Sequence, residues 1–455
     1  MATAAPTVFV PTMFTLPVDT TPTKENIKKA LDRLELERKD RLDSLAAYYL
    51  GEHEILERVK VEGYKNNKVI VNHAKYITDI NVGYLLGNEI EYQTEDEGTD
   101  ISVVTKQYQK QNISDVDNVI GKGASKLGRA YEIVYATEEN DVHSKFISAQ
   151  NCILIFDDTL EHNILFGITY SGKNEDDYLD VKVYTKTEIQ EWDKKLASPV
   201  GENAPHNFGD VPLIEYMNTP ERIGDYEPVQ SLMDAYNTIQ SDRVNDREQL
   251  VEAILLIYGM TMTPEQKKEL REQRMIAVPR GKSDNVKVEY LIKNINEAEA
   301  DVLREKIEGD IHKISMTPNL SDKNFVGNSS GVAIKYKLIA FEQSIVNKER
   351  YFERGLKRRF MLYNNYFAKL NNMKKVETYQ IDAIFKRNLP SNDLELSQII
   401  SNLDRIVDRE TLVGQLSFID NAKESMEKAA KEAIERAKLL SDEFGDLPDK
   451  NQDEE

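Results

Sequence analysis

Near the start of the chain, apolar side chains recur at helical spacing. Ile27, Leu31, Leu34, Leu42 and Leu45 predict a helix over 23–50, with Thr23 as its cap and Gly51 at its stop. A second helix is predicted from Asn72 to Leu86, stopped by Gly87-Asn88, and a third over about 115–128, ending near Gly128. The period then changes. Tyr131-Glu132-Ile133-Val134-Tyr135 alternates and is rich in aromatic and β-branched residues, as a strand is. Further strands are predicted at 144–148, 152–156, 164–170 and 179–184, separated by turn signals such as Asp157-Asp158 and Gly172-Lys173-Asn174. This β-rich α+β region closes near Val211-Pro212-Leu213-Ile214-Glu215-Tyr216.

From about 227 the pattern is helical again, with Pro228 in a first turn and the helix running to about Ile257. Between Asn237 and Gln249 only Ile239 and Val244 are apolar. Such a helix is not expected in a monomeric core; it is either solvated or packed beside other chains. Residues 259–295 read as a small insert, with a short helix at Thr263-Pro264-Glu265 and strands at Met275–Pro279 and Val286–Leu291. Helix returns at 297–316 with the stripe Leu303, Ile307, Ile311 and Ile314. Pro, Gly, Asn and Ser dominate 317–331, a loop of a length that is usually functional or disordered. A long helix over 332–371 comes next. Eleven Lys/Arg and three Glu lie between Lys335 and Lys375. After Pro390 two or three shorter helices reach Leu440, the last from Ala422. The stretch from Ser441, with seven acids and one Lys, is expected to be disordered. The first 22 residues, with four prolines and six threonines, read as a flexible arm. There is no internal repeat.

At 455 residues the chain has room for two to four structural units. Its formal charge of -20 excludes a general nucleic-acid binder, because phosphate affinity comes from clustered Lys and Arg. That acidity suits a surface past which DNA must slide without sticking, and it suits ordinary solubility equally well. The single cysteine, Cys152, excludes an intramolecular disulfide framework and any cysteine-based zinc site. Within Cys152-Ile153-Leu154-Ile155-Phe156 it reads as a small buried hydrophobe, suited to a reducing interior. The most apolar stretch, Ile254 to Met260, is far shorter than a bilayer needs, so no membrane association is expected. The N-terminus has no basic residue before Lys24, which does not fit a secretion signal.

No catalytic pattern is present. Gly281-Lys282-Ser283 echoes a Walker A loop, but position 276 is Ile where the first glycine is required, and Gly121-Lys122-Gly123-Ala124-Ser125-Lys126 also fails. The six histidines, His53, His73, His143, His162, His206 and His312, show no metal-ligand spacing. Asp157, Asp158 and Glu161 beside His162 are the one set that a metal-dependent nuclease could use; the other reading is a solvated hairpin turn. No Gly-x-Ser-x-Gly elbow occurs, and Trp192 and the 22 tyrosines lack the spacing of a base-stacking platform. Neither an enzyme nor a cofactor is expected. The basic stripe Arg350, Arg354, Lys357, Arg358, Arg359 has two readings: contact with DNA phosphates, or neutralisation of acidic neighbours in this chain or the next subunit.

Three blocks carry a family resemblance. The first is Tyr48-Tyr49-Leu50-Gly51-Glu52-His53 with Asn72 to Gly87 after it. The second is Val211 to Asn218, then Gly224-Asp225-Tyr226-Glu227-Pro228-Val229 and Asp234-Ala235-Tyr236-Asn237. The third is Asn324-Phe325-Val326-Gly327-Asn328-Ser329-Ser330-Gly331-Val332-Ala333-Ile334-Lys335-Tyr336. In this order and spacing they resemble the siphophage-type portal proteins of tailed bacteriophages, from about residue 24 to 440.

The resemblance implies a portal fold of α+β class in a cyclic dodecamer. Residues 23–226 would be the wing after the arm at 1–22, with a stem helix at 227–258, a small α/β clip at 259–296 and a returning stem helix at 297–316. Residues 317–331 would be the tunnel loop, 332–390 the long wing helix and its connection, 391–440 a helical crown, and 441–455 an acidic tail. It implies a ring-shaped channel at the capsid vertex of the virion, assembled in host cytoplasm, through which double-stranded DNA is packaged and ejected. The tunnel loop would place Ser321, Asp322, Lys323, Asn324, Phe325, Val326, Gly327, Asn328, Ser329 and Ser330 against the moving duplex. The clip, through Glu265, Lys267, Lys268, Arg271, Arg274, Arg280 and Lys282, would dock the terminase large subunit and later the head-completion or connector proteins. Scaffold and major capsid protein would meet the wing. The alternative is a helical scaffold or adaptor protein of the virion that never forms a ring.

Overall fold

A computed structural model of the chain describes residues 13–60, 65–94, 99–175, 177–251, 254–258, 287–291, 297–321, 338–371, 375–387, 393–403, 406–414 and 422–444, with a few isolated positions between them. They divide into two units. The larger holds almost everything up to residue 388, and the smaller the segments after it.

The expected arm is corrected at once. Residues 1–12 lie outside the described residues, but Phe14–Leu16 form strand β1, parallel to β5 (Cys152–Asp157) with Phe14 opposite Ile155. The predicted helix over 23–50 is α1 (Lys24–Glu37) and α2 (Asp43–Leu50), joined by a π-turn at Arg38–Leu42. Thr23 caps it, its hydroxyl accepting from the Asn26 N–H at 3.4 Å. The extra residue of a π-turn rotates α2 relative to α1 about the helix axis. Here Arg41 is buried, its Nε and Nη2 donating to the two oxygens of Glu227 at 2.6 and 2.7 Å.

Next come α3 (His73–Leu86), β2 (Glu91–Thr94), α4 (Ser102–Lys110) and α5 (Ile113–Leu127). Gly128 closes α5 at φ 80°, with the carbonyl of Arg222 where a Cβ would sit. The chain continues through strands β3 (Arg129–Ala136), β4 (Val142–Ser148), β5, β6 (Ile164–Thr169), β7 (Gly172–Asn174), β8 (Asp177–Leu179), β9 (Val181–Tyr184), β10 (Glu188–Trp192), β11 (Ala204–Pro205) and β12 (Leu213–Met217). The strand expected at 179–184 is broken at Asp180, where φ is 52°. A six-stranded sheet runs β1-β5-β6-β9-β10-β11, and a three-stranded one β12-β3-β4.

After β12 come α6 (Gln230–Val251), the antiparallel pair β13 (Ile254–Tyr258) and β14 (Lys287–Leu291), α7 (Glu297–Ile314), α8 (Ile339–Asn371) and β15 (Ile381–Ile384), which pairs with β2. The stem helix expected to reach 258 therefore stops at Val251, because the β-branched and leucine-rich run after it pairs as a strand. The long helix expected from 332 is described as helix from Ile339; 331–335 lie outside the described residues. The larger unit has two cores. One packs α1 and α2 on the six-stranded sheet around Leu31, Leu34, Leu154 and Phe166. The other packs α8 on β12, α3, α4 and α5 around Phe352, Leu356, Tyr216 and Ile120. Gly355 of α8 permits that approach: a Cβ there would lie 2.3 Å from the Tyr216 ring.

The polar middle of α6 is a second correction. One polar face is buried in its own chain, while Thr238, Val244, Arg247 and Glu248 are exposed. Asn237, Ser241 and Asn245, at i, i+4 and i+8, are at most 2% exposed. Their side-chain oxygens accept the N–H groups of Val71 (2.8 Å), Val69 (2.9 Å) and Asn67 (2.7 Å). Four helical residues rise about 6.0 Å and two strand residues about 6.6 Å, so every fourth side chain meets every second N–H. The helix thus serves as the hydrogen-bonding edge that the antiparallel segment 67–71 would otherwise find in a sheet. Ser241→Val strands the Val69 N–H and is expected to cost about 1–3 kcal/mol. Amide exchange at Val69 should quicken; unchanged protection would contradict the ladder.

The smaller unit consists of α9 (Asp393–Leu403), α10 (Arg409–Val413) and α11 (Ala422–Phe444). Asp408 caps α10, accepting from the Thr411 N–H at 2.8 Å. Helix α11 passes the boundary expected at 440, so the acidic tail begins helical; 445–455 lie outside the described residues.

Candidate functional site: the loop root and the long basic helix

The loop after α7 starts from a buried, hydrogen-bonded root. Met316 turns the chain at φ 54° and Thr317 is 1% exposed. The Thr317 hydroxyl accepts from Asn81 Nδ2 at 2.8 Å. Its carbonyl faces His312 Nδ1 at 3.0 Å; a carbonyl only accepts, so Nδ1 carries the proton. Tyr76 donates to the Pro318 carbonyl and accepts from the Leu320 N–H, both at 2.9 Å. Asn319 donates to Glu308 at 3.0 Å and accepts from the Ser321 N–H at 3.1 Å. The fifteen-residue loop therefore begins tied to α3 and α7 through residue 321. Asp322 to Ser330 lie outside the described residues, as do Glu265, Lys267, Lys268, Arg271, Arg274, Arg280 and Lys282.

The helix after the loop returns to the same side chain. Lys348 of α8 donates to Asn81 Oδ1 at 2.5 Å and pairs with Asp225 at 2.7 Å. Asp225 also accepts from Ser125 Oγ at 2.7 Å and Asn218 Nδ2 at 2.6 Å. One amide, Asn81, thus holds the loop's first buried residue with its nitrogen and the returning helix with its oxygen. Asn81 belongs to the first sequence block and Asn218 and Asp225 to the second, so residues far apart in the chain converge at the root of the loop, around Thr317.

Beside the root, α3, α6 and α7 enclose an aromatic cluster. The His73 ring meets Tyr236 edge-on at 4.9 Å and His312 at 5.7 Å, and its Nε2 has no partner among the described residues. Burial, then repulsion from His312, pushes the His73 imidazole down to about 4, against the weaker pull of Glu308. In the unfolded chain it titrates near 6.5. Between those values the unfolded state binds the extra proton, so the contribution of His73 to stability falls as pH drops from about 6.5 to about 4 and is level outside that window. At pH 5 the loss is expected to be about 2 kcal/mol per subunit relative to pH 7. Denaturant midpoints of wild type and His73→Phe against pH measure it: the stability of wild type relative to the variant should fall by that amount between pH 7 and pH 5, a difference from which the carboxyls titrating in the same range cancel.

Structure divides the basic stripe. Arg359, which sequence offered to DNA or a neighbouring subunit, is fully buried: its Nε donates to Glu132 at 2.8 Å and its Nη2 lies 2.6 Å from Asp117. The Asp117 contact is a close ion pair without the alignment of a hydrogen bond. Burial pushes Asp117 up to about 6, with the guanidinium opposing that shift. Arg358 is turned inward too, onto Asp210 at 3.0 Å and the carbonyl of Val211 at 2.9 Å. Lys357 pairs with Glu353 one turn away at 2.9 Å. Arg350 and Arg354 are exposed, and the Arg354 guanidinium lies over the Tyr351 ring at 5.1 Å. Neutralisation within the chain therefore accounts for Lys357, Arg358 and Arg359.

The acidic set at 157–162 is a hairpin turn. One Asp157 oxygen accepts the N–H groups of Thr159 and Asn163 at 3.2 and 3.0 Å and the Thr159 hydroxyl at 2.5 Å; the other accepts Asn163 Nδ2 at 3.1 Å. Cys152 is fully buried, as a small hydrophobe would be.

Over residues 28–439 the chain matches the family described as phage portal protein, SPP1 Gp6-like. It is 24% identical over 410 residues to the portal protein of Bacillus phage SPP1, spanning 84% of this chain and 80% of that protein. It is 24% identical over 251 residues to the portal protein of Clostridium phage phiCD119, spanning 53% of each. Among solved structures it is similar to a chain of the neck of a native gene transfer agent particle computed with C12 symmetry, at TM-score 0.46 and 10% identity, over 83% of this chain and 93% of that one. A chain of the virion of a native gene transfer agent particle is similar at TM-score 0.42 and 10% identity, over 85% and 92%.

Proposed function

The chain belongs to the phage portal proteins of the SPP1 Gp6-like family, and on that premise we propose that about twelve copies close into a ring that serves as a DNA conduit. The family is structural rather than catalytic. The ring stands at the capsid vertex, and double-stranded DNA enters and leaves through it. The segment 259–296 docks the terminase large subunit and later the connector proteins, while scaffold and major capsid protein meet the β-rich region. Assembly takes place in the host cytoplasm. The loop after 317 reaches the duplex from its anchored root, and Arg350 and Arg354 are the stripe residues left to meet DNA or the next subunit.

The observation that supports the ring most is the half-covered stripe of α7. Ile311 is buried and Ile307 packs against the core, yet Leu303 and Ile314 are 52% and 50% exposed. Beyond the helix, Met316 and Leu320 are exposed as well. An apolar row next to the loop root needs a partner, and a neighbouring copy meeting it with a different face gives the head-to-tail contact from which rings close. Leu303→Asp combined with Ile314→Asp is expected to lower the assembled mass to that of single chains while the far-UV spectrum stays unchanged. Rings that persist at the wild-type mass would contradict this interface.

A further inference from the structure

A cleft of about 390 Å³ opens in the larger unit, away from the loop root. Three ammonium groups line it from separate elements: Lys186 in the turn between β9 and β10, Lys369 in the last turn of α8, and Lys375 just beyond that helix. Thr187, His206, Asn207 and Asn365 complete the polar wall, and among the described residues no acidic side chain lines it. In a chain with 79 acids to 59 Lys and Arg, a lining with three cations and no carboxylate is a local reversal of sign.

Structure alone does not require those lysines. The C-terminal end of α8 presents about half a negative charge, which one cation offsets. Lys369 is placed for that, and its Nζ is fixed by Asn207 Oδ1 at 2.8 Å. Lys186 and Lys375 are surplus and exposed. Ammonium donors reaching one cleft from three positions in the chain match an anion with oxygens pointing in several directions. A phosphate has up to four oxygens in a tetrahedron, whereas a carboxylate presents two in one plane.

We propose that this cleft binds a phosphate group, either free phosphate or the backbone of duplex DNA lying against this face of the protein. The site does not depend on ring closure, so its failure is distinguishable from failure of the conduit reading.

The test measures binding of inorganic phosphate by calorimetry, and of a short fluorescent duplex by anisotropy across a salt series, to the full chain. The probe proteins are wild type, a cleft variant (Lys186→Gln, Lys369→Gln, Lys375→Gln) and an equally charged control (Lys39→Gln, Lys106→Gln, Lys145→Gln). Wild type and control are expected to bind alike, and the cleft variant at least about tenfold more weakly. If DNA is the source, the slope of log K against log salt should become shallower by about 2 to 3 in the cleft variant alone. Phosphate binding without DNA binding would identify free phosphate as the source. Absence of both, equal loss in the control, or displacement by a glutamate peptide at the same concentration as by phosphate would overturn the proposal. Unchanged thermal midpoints for both variants would show that the binding data report on the cleft.

Discussion

Arg359→Met is expected to destabilise the larger unit by about 3–5 kcal/mol, the cost of leaving buried charge unpaired. Glu132 is fully buried and Asp117 is 3% exposed. The guanidinium lies between them, 5.7 Å from the Tyr216 ring and 6.0 Å from the Tyr108 ring. Without it, Glu132 keeps the Tyr216 hydroxyl, which donates at 2.6 Å, but two carboxylates share a dry site with no cation. The compensated variant separates the charge effect from lost packing. Arg359→Met together with Glu132→Leu, Asp117→Leu and Tyr216→Phe, the last removing the hydroxyl that Glu132 would leave stranded, should recover most of the loss, since apolar groups of similar volume replace buried ion pairs at little cost. Guanidinium unfolding measures both. A single variant within about 1 kcal/mol of wild type would mean that the triad carries no stability.

The second large effect is expected at the loop root. Lys348→Ala removes the cation that joins Asp225 to Asn81, and should cost about 2–3 kcal/mol. The loss is smaller than at Arg359 because Ser125 and Asn218 still donate to Asp225. Its signature is local: once Asn81 loses its tie to α8, the grip on Thr317 loosens, and amide exchange at Leu320 should accelerate more than in either core. On the conduit reading, a loosened root lowers packaging while rings still form. Normal Leu320 protection would show that the two arms of the Asn81 clasp act separately.

Much of this was legible in the sequence. Apolar spacing marks α1, α2, α3 and α5, alternation marks β3, and an unbroken apolar run marks β5, which is buried at every position. Helix α4 escaped because Val103, Val104 and Thr105 are weak helix formers; only the packing of Val104 and Tyr108 holds it. Strands β2 and β15 escaped because each is short and its partner lies almost three hundred residues away. The polar face of α6 misled because a burial rule counts apolar residues, and the buried face here is a row of hydrogen-bond acceptors. Within the site, the missed residues did leave a signal. Asn81 interrupts the stripe of Ile77 and Leu85, and Lys348 that of Ile345 and Phe352; Arg359, named in the basic stripe but not as a core residue, likewise interrupts that of Leu356 and Tyr363. A lone polar residue on an apolar stripe needs a buried partner, but only the fold identifies which.

The conduit account is tested most directly by the mass of the purified protein in light scattering, with negative-stain images of the same sample. At 52.2 kDa per chain, about twelve copies give roughly 0.6 MDa. The account predicts that mass, with circular views and a central hole. A monomer or dimer that persists at high concentration, with no ring views, would contradict it and favour a virion adaptor that never closes into a ring.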